Sequence, residues 1–197
     1  MNLYYQQEGK GDPPLVFVHG WCCNHSFFQP QFDHFKASHA VTALDLRGCG
    51  ESGRPKEVYD IPTFADDVAW LCRELRILRP VIVGHSLGGM IAIELAARYP
   101  SLPGAVAALD PGPIDPLPRA RSLFEEFATQ LEGPDRDTAR RAYVEGLFSP
   151  SDNLKRKHQI IETMCSVPQS IAAKVIRGIV AWNGVGALLL CKVPLLV

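Results

Sequence analysis

The 197-residue sequence lacks the features that mark several large functional classes. Neither charge is in excess, with 20 lysines and arginines against 21 aspartates and glutamates, and no basic stripe indicates a nucleic-acid or anionic-membrane surface. The longest apolar runs are far shorter than a membrane span. Residues 1–6 have no basic start and no apolar segment of signal-peptide length. We therefore expect a cytoplasmic protein that binds neither nucleic acid nor a membrane.

The six cysteines also lack any spacing that indicates a metal site. The sequence contains no C-x-x-C pair and no zinc-like arrangement, so we expect no bound metal. In a reducing compartment such cysteines are free thiols in or near the core. No motif for an organic cofactor occurs either. With 47% hydrophobic residues, the chain is long and apolar enough to build one sizeable core.

The strongest pattern in the chain lies in residues 80–96. A β-branched run at 81–83 follows a proline, which favours a buried parallel strand, and a nearly continuous apolar helix pattern follows. Between them lies Gly84-His85-Ser86-Leu87-Gly88, a G-x-S-x-G sequence. Such a strand-to-helix turn exposes its serine close to the helix N-terminus. Side chains at the two glycines would collide with the neighbouring strand and with the helix.

Strands and helices alternate through residues 1–110, which predicts parallel β-α units with right-handed crossovers. Thr63 and Asp66 resemble a capping box, which predicts that a helix begins at Thr63. The carboxyl ends of the strands should share one sheet edge, where open parallel sheets place their sites. The predicted strands are 3–7, 15–18, 40–44, 81–83 and 104–109, and the other early helix is 27–35.

The composition changes at Asp110. The proline-rich stretch at 111–118 cannot continue a strand or a helix. Helices are predicted at 119–132, 135–148, 152–165 and 169–182, and a last strand begins at Val193. We expect an α/β core at 1–110, a helical cap over the strand ends at 111–182, and a return to the core at 183–197.

Four motifs together resemble the α/β-hydrolase fold family, and most closely its cofactor-free esterase, lactonase and perhydrolase branch. The resemblance implies a three-layer α/β sandwich with a mostly parallel sheet and a helical cap insertion, and with the last strand and helix missing from this chain. The motifs are Val18-His19-Gly20-Trp21, Asp45-Leu46-Arg47-Gly48-x-Gly50-x-Ser52, the Ser86 turn and Val193-Pro194-Leu195-Leu196-Val197.

The resemblance also implies roles for individual residues. Ser86 would be the nucleophile, and the backbone N–H groups of Trp21 and Leu87 would form the oxyanion hole. Serine at position 86 favours acyl chemistry over the reactions of related dehalogenases and epoxide hydrolases, which carry aspartate there. The usual acid and histidine of the family follow the strand at Val193, at positions beyond Val197. Asp110 is an alternative acid, or simply a strand-end residue that caps the next turn.

None of the six histidines is a good general base for Ser86 in the sequence pattern. His19 should pack beneath the oxyanion loop, and the side chain of His85 should project away from Ser86. His25 lies on the oxyanion loop and either lines the substrate pocket or faces the surface. Three further histidines, His34, His39 and His158, are expected on the surface. The residues expected to line the substrate pocket are Cys22, His25 and His85.

We therefore expect a serine hydrolase of a small or medium carboxylic ester, lactone or related acyl substrate. The reaction would pass through an acyl-enzyme on Ser86 without a cofactor, and the 197 residues would be catalytically incomplete. One alternative is hydrolysis of a carbon–carbon bond by the same serine. Another is a non-catalytic form that binds a small ligand or a partner under the cap.

The expected absence of the last strand and helix has a consequence for stability. The strand at Val193 would be an unprotected edge, and apolar sheet surface would lose its cover. We expect the 197-residue chain to be marginally stable or to associate, and a longer form to fold normally. Thermal unfolding of the two forms measures this difference, and equal Tm values would contradict it.

Overall fold

The structure is a computed structural model that describes residues 2–56, 58–114 and 118–197. The predicted linker at 111–118 lies partly outside the described residues. The strands are β1 (Tyr5–Glu8), β2 (Leu15–Val18), β3 (Val41–Leu44), β4 (Val81–His85), β5 (Ala105–Leu109) and β6 (Leu195–Leu196). The helices are α1 (Gln29–Phe35), α2 (Ile61–Glu74), α3 (Leu87–Arg98), α4 (Pro118–Glu132), α5 (Arg136–Glu145), α6 (Leu154–Ser166), α7 (Gln169–Ala181) and α8 (Gly184–Leu190).

The strands form one mixed sheet in the order β1-β3-β2-β4-β5-β6. Only the β1–β3 pair is antiparallel among the described strands, and the other four pairs are parallel. The sheet confirms the predicted α/β fold with a mostly parallel sheet. The crossovers bring the carboxyl ends of β2, β3, β4 and β5 to one edge, as the alternating pattern predicted.

Helices cover both faces of the sheet and give it three layers. Along β2, Val16 and Val18 face the larger core with α2 and α3, while Leu15 and Phe17 face a smaller core. Phe32 of α1 packs in that smaller core. Because successive side chains of β2 point to opposite faces of the sheet, this one strand contributes to two separate cores.

The start of α2 differs from the prediction. The helix begins at Ile61, and the Asp60 carboxylate accepts a hydrogen bond from the Thr63 N–H at 2.8 Å. Asp60 is therefore the N-cap, and the expected box of Thr63 and Asp66 is wrong. Asp66 instead accepts hydrogen bonds from Arg98 and Tyr99. The sequence signal was present, since aspartate followed by a proline in the first turn is a typical helix start.

The four helices predicted in the second half of the chain are confirmed as α4 to α7, with ends within three residues. These helices are called the helical segment below. The largest difference is at α5, which ends at Glu145 before Gly146. Helix α8 was not predicted, because its short apolar sequence contains two glycines. Its start is capped by Asn183, whose side chain accepts the Gly186 N–H at 3.0 Å.

A buried ion pair fixes the loop after β3. Arg47 donates to both carboxylate oxygens of Asp67 on α2, from Nε at 2.5 Å and from Nη2 at 2.6 Å. Burial raises the pKa of Asp67, while the pairing with Arg47 opposes that rise. The loop that carries the Asp45-Leu46-Arg47-Gly48 motif is thus tied by an ion pair to α2.

In the described ranges, no single helix is long and apolar enough to cross a membrane. Helices α7 and α8 meet that length and composition test only as a pair, and the pair is bent by 64°.

The close approach of α3 to β2 generates a stability prediction. A methyl group at Gly88 would collide with the backbone carbonyl oxygen of Val18, which has little freedom to move. We expect Gly88→Ala to lower the free energy of unfolding by about 1–3 kcal/mol, measured by denaturant titration. A methyl group at Gly133 would meet only ordinary contacts, of 3.4 Å or more. Gly133→Ala is therefore the control, expected within about 0.5 kcal/mol of the parent; equal losses would refute the packing argument.

Candidate active site

Ser86 occupies a strained turn between β4 and α3. Its backbone has φ 52° and ψ −115°, a conformation that L-residues rarely adopt. The Ser86 N–H donates to the Leu109 carbonyl at 3.0 Å, which fixes the turn to β5. The Ser86 carbonyl accepts from the N–H groups of Gly89 and Met90, which starts the helix. The serine therefore sits on a rigid support and not on a loose loop.

The flanking glycines make room for this turn. A Cβ at Gly84 would collide with the backbone of Gly88, and a Cβ at Gly88 would collide with the backbone of Val18 and His19. Both positions therefore require glycine for steric reasons, as the motif predicted. The sharp turn exists because three backbone segments pass one another without side chains between them.

The loop after β2 lies directly against Ser86. A Cβ placed on Gly20 would be 3.5 Å from the Cβ of Ser86 and 3.3 Å from Nδ1 of His85. The next residue, Trp21, is buried, and Leu87 begins α3 on the other side of the serine. Among the described residues, neither the Trp21 N–H nor the Leu87 N–H has a hydrogen-bond acceptor. Two unpartnered amides therefore belong to the backbone segments that meet at Ser86.

His19 anchors this loop and is not free for proton transfer. Its Nε2 accepts the Leu46 N–H at 3.0 Å, so Nδ1 carries the proton that is donated to the Gly20 carbonyl at 2.8 Å. Burial lowers the pKa of His19 to about 4. The ring is therefore neutral near pH 7, and both of its nitrogens bind backbone groups.

Asp45 organises the far end of the same loop. Its buried carboxylate accepts the His25 N–H at 2.7 Å, the His25 Nδ1–H at 2.8 Å and the Glu51 N–H at 2.9 Å. The His25 ring also contacts the Tyr4 ring, with centroids 4.9 Å apart. His25 is only partly buried, but its contacts with Asp45 and Tyr4 hold the ring in place. Sequence reasoning missed this contact, since nothing in the spacing links positions 25 and 45.

The cysteines near the site are buried thiols. Cys22 and Cys23 are 3% and 5% exposed, and Cys22 has a left-handed φ of 56°. Burial raises the pKa of both thiols well above the usual value. Cys49 is buried as well, and burial raises its pKa to about 12. Protonated thiols are poor nucleophiles, which disfavours thiol chemistry beside Ser86.

Asp110 stands at the end of β5, next to the serine turn. It is exposed and has φ 44°, and the preceding residue, Leu109, accepts the Ser86 N–H. Its assignment as an acid stays a prediction, as do the pocket roles of Cys22, His25 and His85. His85 is exposed, as are His34 and His158, whereas His39 is only partly exposed.

In the described ranges, no histidine forms a hydrogen bond with the Ser86 hydroxyl. The Ser86 hydroxyl makes no hydrogen bond to any group in residues 2–56, 58–114 and 118–197. Of the histidines, His19 and His25 hold backbone or carboxylate groups by ring nitrogens. The same ranges contain no group of three side chains that could hold a metal ion.

Trp21 connects the site to the helical segment, which the sequence did not indicate. Its indole Nε1–H donates to the Ala172 carbonyl of α7 at 3.0 Å. The indole also makes edge-on contacts with Phe127 of α4 and Tyr143 of α5, at centroid distances of 5.6 Å and 5.7 Å. One residue thus contributes an unpartnered backbone amide to the loop that lies against the serine turn and a side chain that contacts three helices.

A strained serine turn at the end of a parallel strand, with one unpartnered amide in the adjoining loop and another at the start of the following helix, is the arrangement of α/β hydrolases. The α/β-hydrolase fold family model matches residues 13–156. The chain therefore belongs to the α/β-hydrolase fold family, as the four motifs predicted.

Individual relatives agree with this assignment. A 2-(acetamidomethylene)succinate hydrolase from Mesorhizobium japonicum is 36% identical over 110 residues, which are 56% of this chain and 39% of that protein. A bifunctional esterase/perhydrolase from Acinetobacter calcoaceticus is 36% identical over 111 residues, which are 55% of this chain and 40% of that protein. The chain thus spans about two fifths of the length of these curated relatives.

A solved structure extends the likeness over nearly the whole chain. An esterase from Exiguobacterium antarcticum matches with a TM-score of 0.88 over 98% of this chain and 75% of that one. The identity is 18%, so this likeness shows the fold alone.

The buried state of His19 generates a pH prediction. Its pKa is about 4 in the folded chain and about 6.5 when unfolded, so between these values the unfolded chain binds more protons. The free energy of unfolding should therefore fall as the pH drops from 6.5 to 4, by about 3 kcal/mol in total from this group. Denaturant titrations across this range measure the slope.

The slope is assigned by comparing variants. His19→Asn removes the titrating ring, so its stability should depend less on pH in this window, whatever its stability at pH 7. His158 is exposed, and His158→Asn should keep the slope of the parent. An unchanged slope in His19→Asn would show that other groups cause the acid sensitivity.

Proposed function

We propose that Ser86 is the nucleophile of a hydrolase that acts on a small or medium carboxylic ester, lactone or related acyl substrate. The observation that carries this proposal is the strained Ser86 turn with two unpartnered amides from the segments that meet there. The Ser86 oxygen would attack the substrate carbonyl carbon and expel the alcohol. Water would then release the acid from the acyl-enzyme.

The free N–H groups of Trp21 and Leu87 would stabilise the oxyanion of the tetrahedral intermediate. Such donors typically contribute a hundredfold or more to the rate, because they are oriented before the charge develops. The geometry supports this role in two ways. Gly20 allows the loop to approach Ser86, and His19 holds that loop through two backbone hydrogen bonds.

A general base must take the proton of the serine hydroxyl. The histidines of the described residues are either bound to other groups or make no hydrogen bond to Ser86. We propose that in the whole protein the base comes from residues outside the 197 of this chain. Asp110, at the neighbouring strand end, is our candidate for the acid that would orient such a histidine.

The second candidate function is a non-catalytic one. The same lack of a base partner for Ser86 favours a chain that binds a small ligand or a partner protein without turning it over. Hydrolysis of a carbon–carbon bond would use the same serine and remains the alternative within enzymes. Product analysis with an ester and with a diketone distinguishes the two reactions.

Serine labelling tests the proposal directly. In the longest natural form of the chain, a fluorophosphonate probe should label Ser86, as located by peptide mass spectrometry. Ser86→Ala should abolish the labelling and lower kcat/KM for an ester by at least about a thousandfold.

Ser101 provides the matched control, since it is an exposed serine in the turn beyond the C-terminal end of α3. Ser101→Ala should leave both labelling and turnover unchanged. Full ester turnover by Ser86→Ala would overturn the nucleophile assignment, and a natural form with neither labelling nor turnover would support the binding function instead.

A further inference from the structure

Arg140 of α5 is a buried cation in the helical segment. Only 6% of the residue is exposed. Its Nη1 donates to the Val167 carbonyl at 2.5 Å and its Nη2 donates to the Cys165 carbonyl at 2.7 Å, at the C-terminal end of α6. Both acceptors are peptide groups without a formal charge. These hydrogen bonds therefore hold the guanidinium in place but do not neutralise it.

The guanidinium also lacks a close carboxylate. Among the described residues, the one carboxylate within 4.0 Å is that of Asp137, whose Oδ1 lies 3.9 Å from Nη2, beyond hydrogen-bond distance. The Asp137 side chain is 82% exposed, so water screens its charge. The Nε–H of Arg140 is buried and has no acceptor in the described ranges. An unpaired charge and an unpaired donor both cost free energy when they are buried.

Two thiols lie near Arg140 but supply no negative charge. Burial raises the pKa of Cys22 and of Cys165 above the usual value, and the nearby charge of Arg140 only partly opposes this rise. Both thiols are therefore protonated near pH 7. The missing counter-charge of Arg140 is thus not a thiolate.

Arg140 lines a cavity of about 310 Å³ between α5 and the end of α6. In the same lining, the charge of Arg141 is matched by Glu162, with 2.7 Å between Nη2 and Oε1. The buried guanidinium of Arg140 then faces the cavity with only the exposed Asp137 as a possible partner. The lining residues are Asp137, Arg140, Arg141, Glu162, Cys165 and Ser166.

We propose that this cavity is a binding site for a small oxyanion, a carboxylate or a phosphate, whose counter-charge is the Arg140 guanidinium. Guanidinium N–H groups match the oxygens of both anions, and such charge-assisted hydrogen bonds are stronger than neutral ones. The volume admits an oxyanion with a short organic body. The lining contains neither Ser86 nor the residues of its two unpartnered amides, so the site does not depend on the proposed hydrolase function.

A titration followed by NMR tests the site in the full chain. Sodium phosphate or sodium acetate replaces sodium chloride at constant ionic strength, and the side-chain Nε–H resonance of Arg140 is observed. We expect a saturable shift of this resonance with at least one of the two oxyanions, and the one that binds identifies the anion. No shift with either oxyanion would overturn the proposal.

Asp137→Asn is a variant that should gain affinity. The Asp137 carboxylate competes with a bound anion for Arg140, and its exposure means that the fold should not change. We expect the Kd of phosphate or acetate, whichever binds the parent, to fall by about two- to fivefold, the range of an exposed charge interaction. Asp135→Asn makes the same change of charge at an exposed position outside the lining and should leave Kd unchanged. Equal gains in both variants would show diffuse attraction of anions and refute the site.

Arg140→Gln removes the cation itself and should raise Kd at least about tenfold. Lys155→Gln removes a positive charge from the exposed start of α6, outside the lining, and should keep the Kd of the parent. An unchanged Kd in folded Arg140→Gln would overturn the proposal. Because Arg140→Gln also loses two hydrogen bonds to backbone carbonyls, circular dichroism checks its fold. If it does not fold, the comparison of Asp137→Asn with Asp135→Asn decides.

Discussion

The backbone contact between α3 and β2 is the constraint on which the site depends. With glycine at 84 and 88, the first turn of α3 passes against the carbonyl groups of Val18 and His19 with no side chain between them. This approach allows Ser86 to adopt φ 52° while the hydrogen bond to Leu109 holds it in place. The strain at one residue is sustained because the surrounding backbone leaves no relaxed alternative.

Much of the fold could be predicted from the sequence because its signals are local. A β-branched run after a proline marks β4, and the apolar pattern after residue 118 marks four helices whose ends agree within three residues. The start of α2 was misjudged because two capping patterns overlap, and Asp60 provides the one that forms. Helix α8 was not predicted because its two glycines give it a low intrinsic helix propensity. Its packing against α3 stabilises the helix instead.

The candidate site was predictable only where it lies within one motif. The G-x-S-x-G sequence identifies Ser86 and its two glycines, because the strand-to-helix turn leaves no space for side chains at positions 84 and 88. The contacts of His25 with Asp45, of Arg47 with Asp67 and of Trp21 with the helical segment each join positions far apart in the chain. No sequence spacing encodes these pairs, since they depend on how sheet and helices come together.

The position of Trp21 has a mechanical consequence. Its amide belongs to the loop against the serine turn while its indole contacts α4, α5 and α7, so a displacement of those helices would be transmitted to the loop. Any opening of the helices for the entry of a molecule would pull on the same residue and displace its amide.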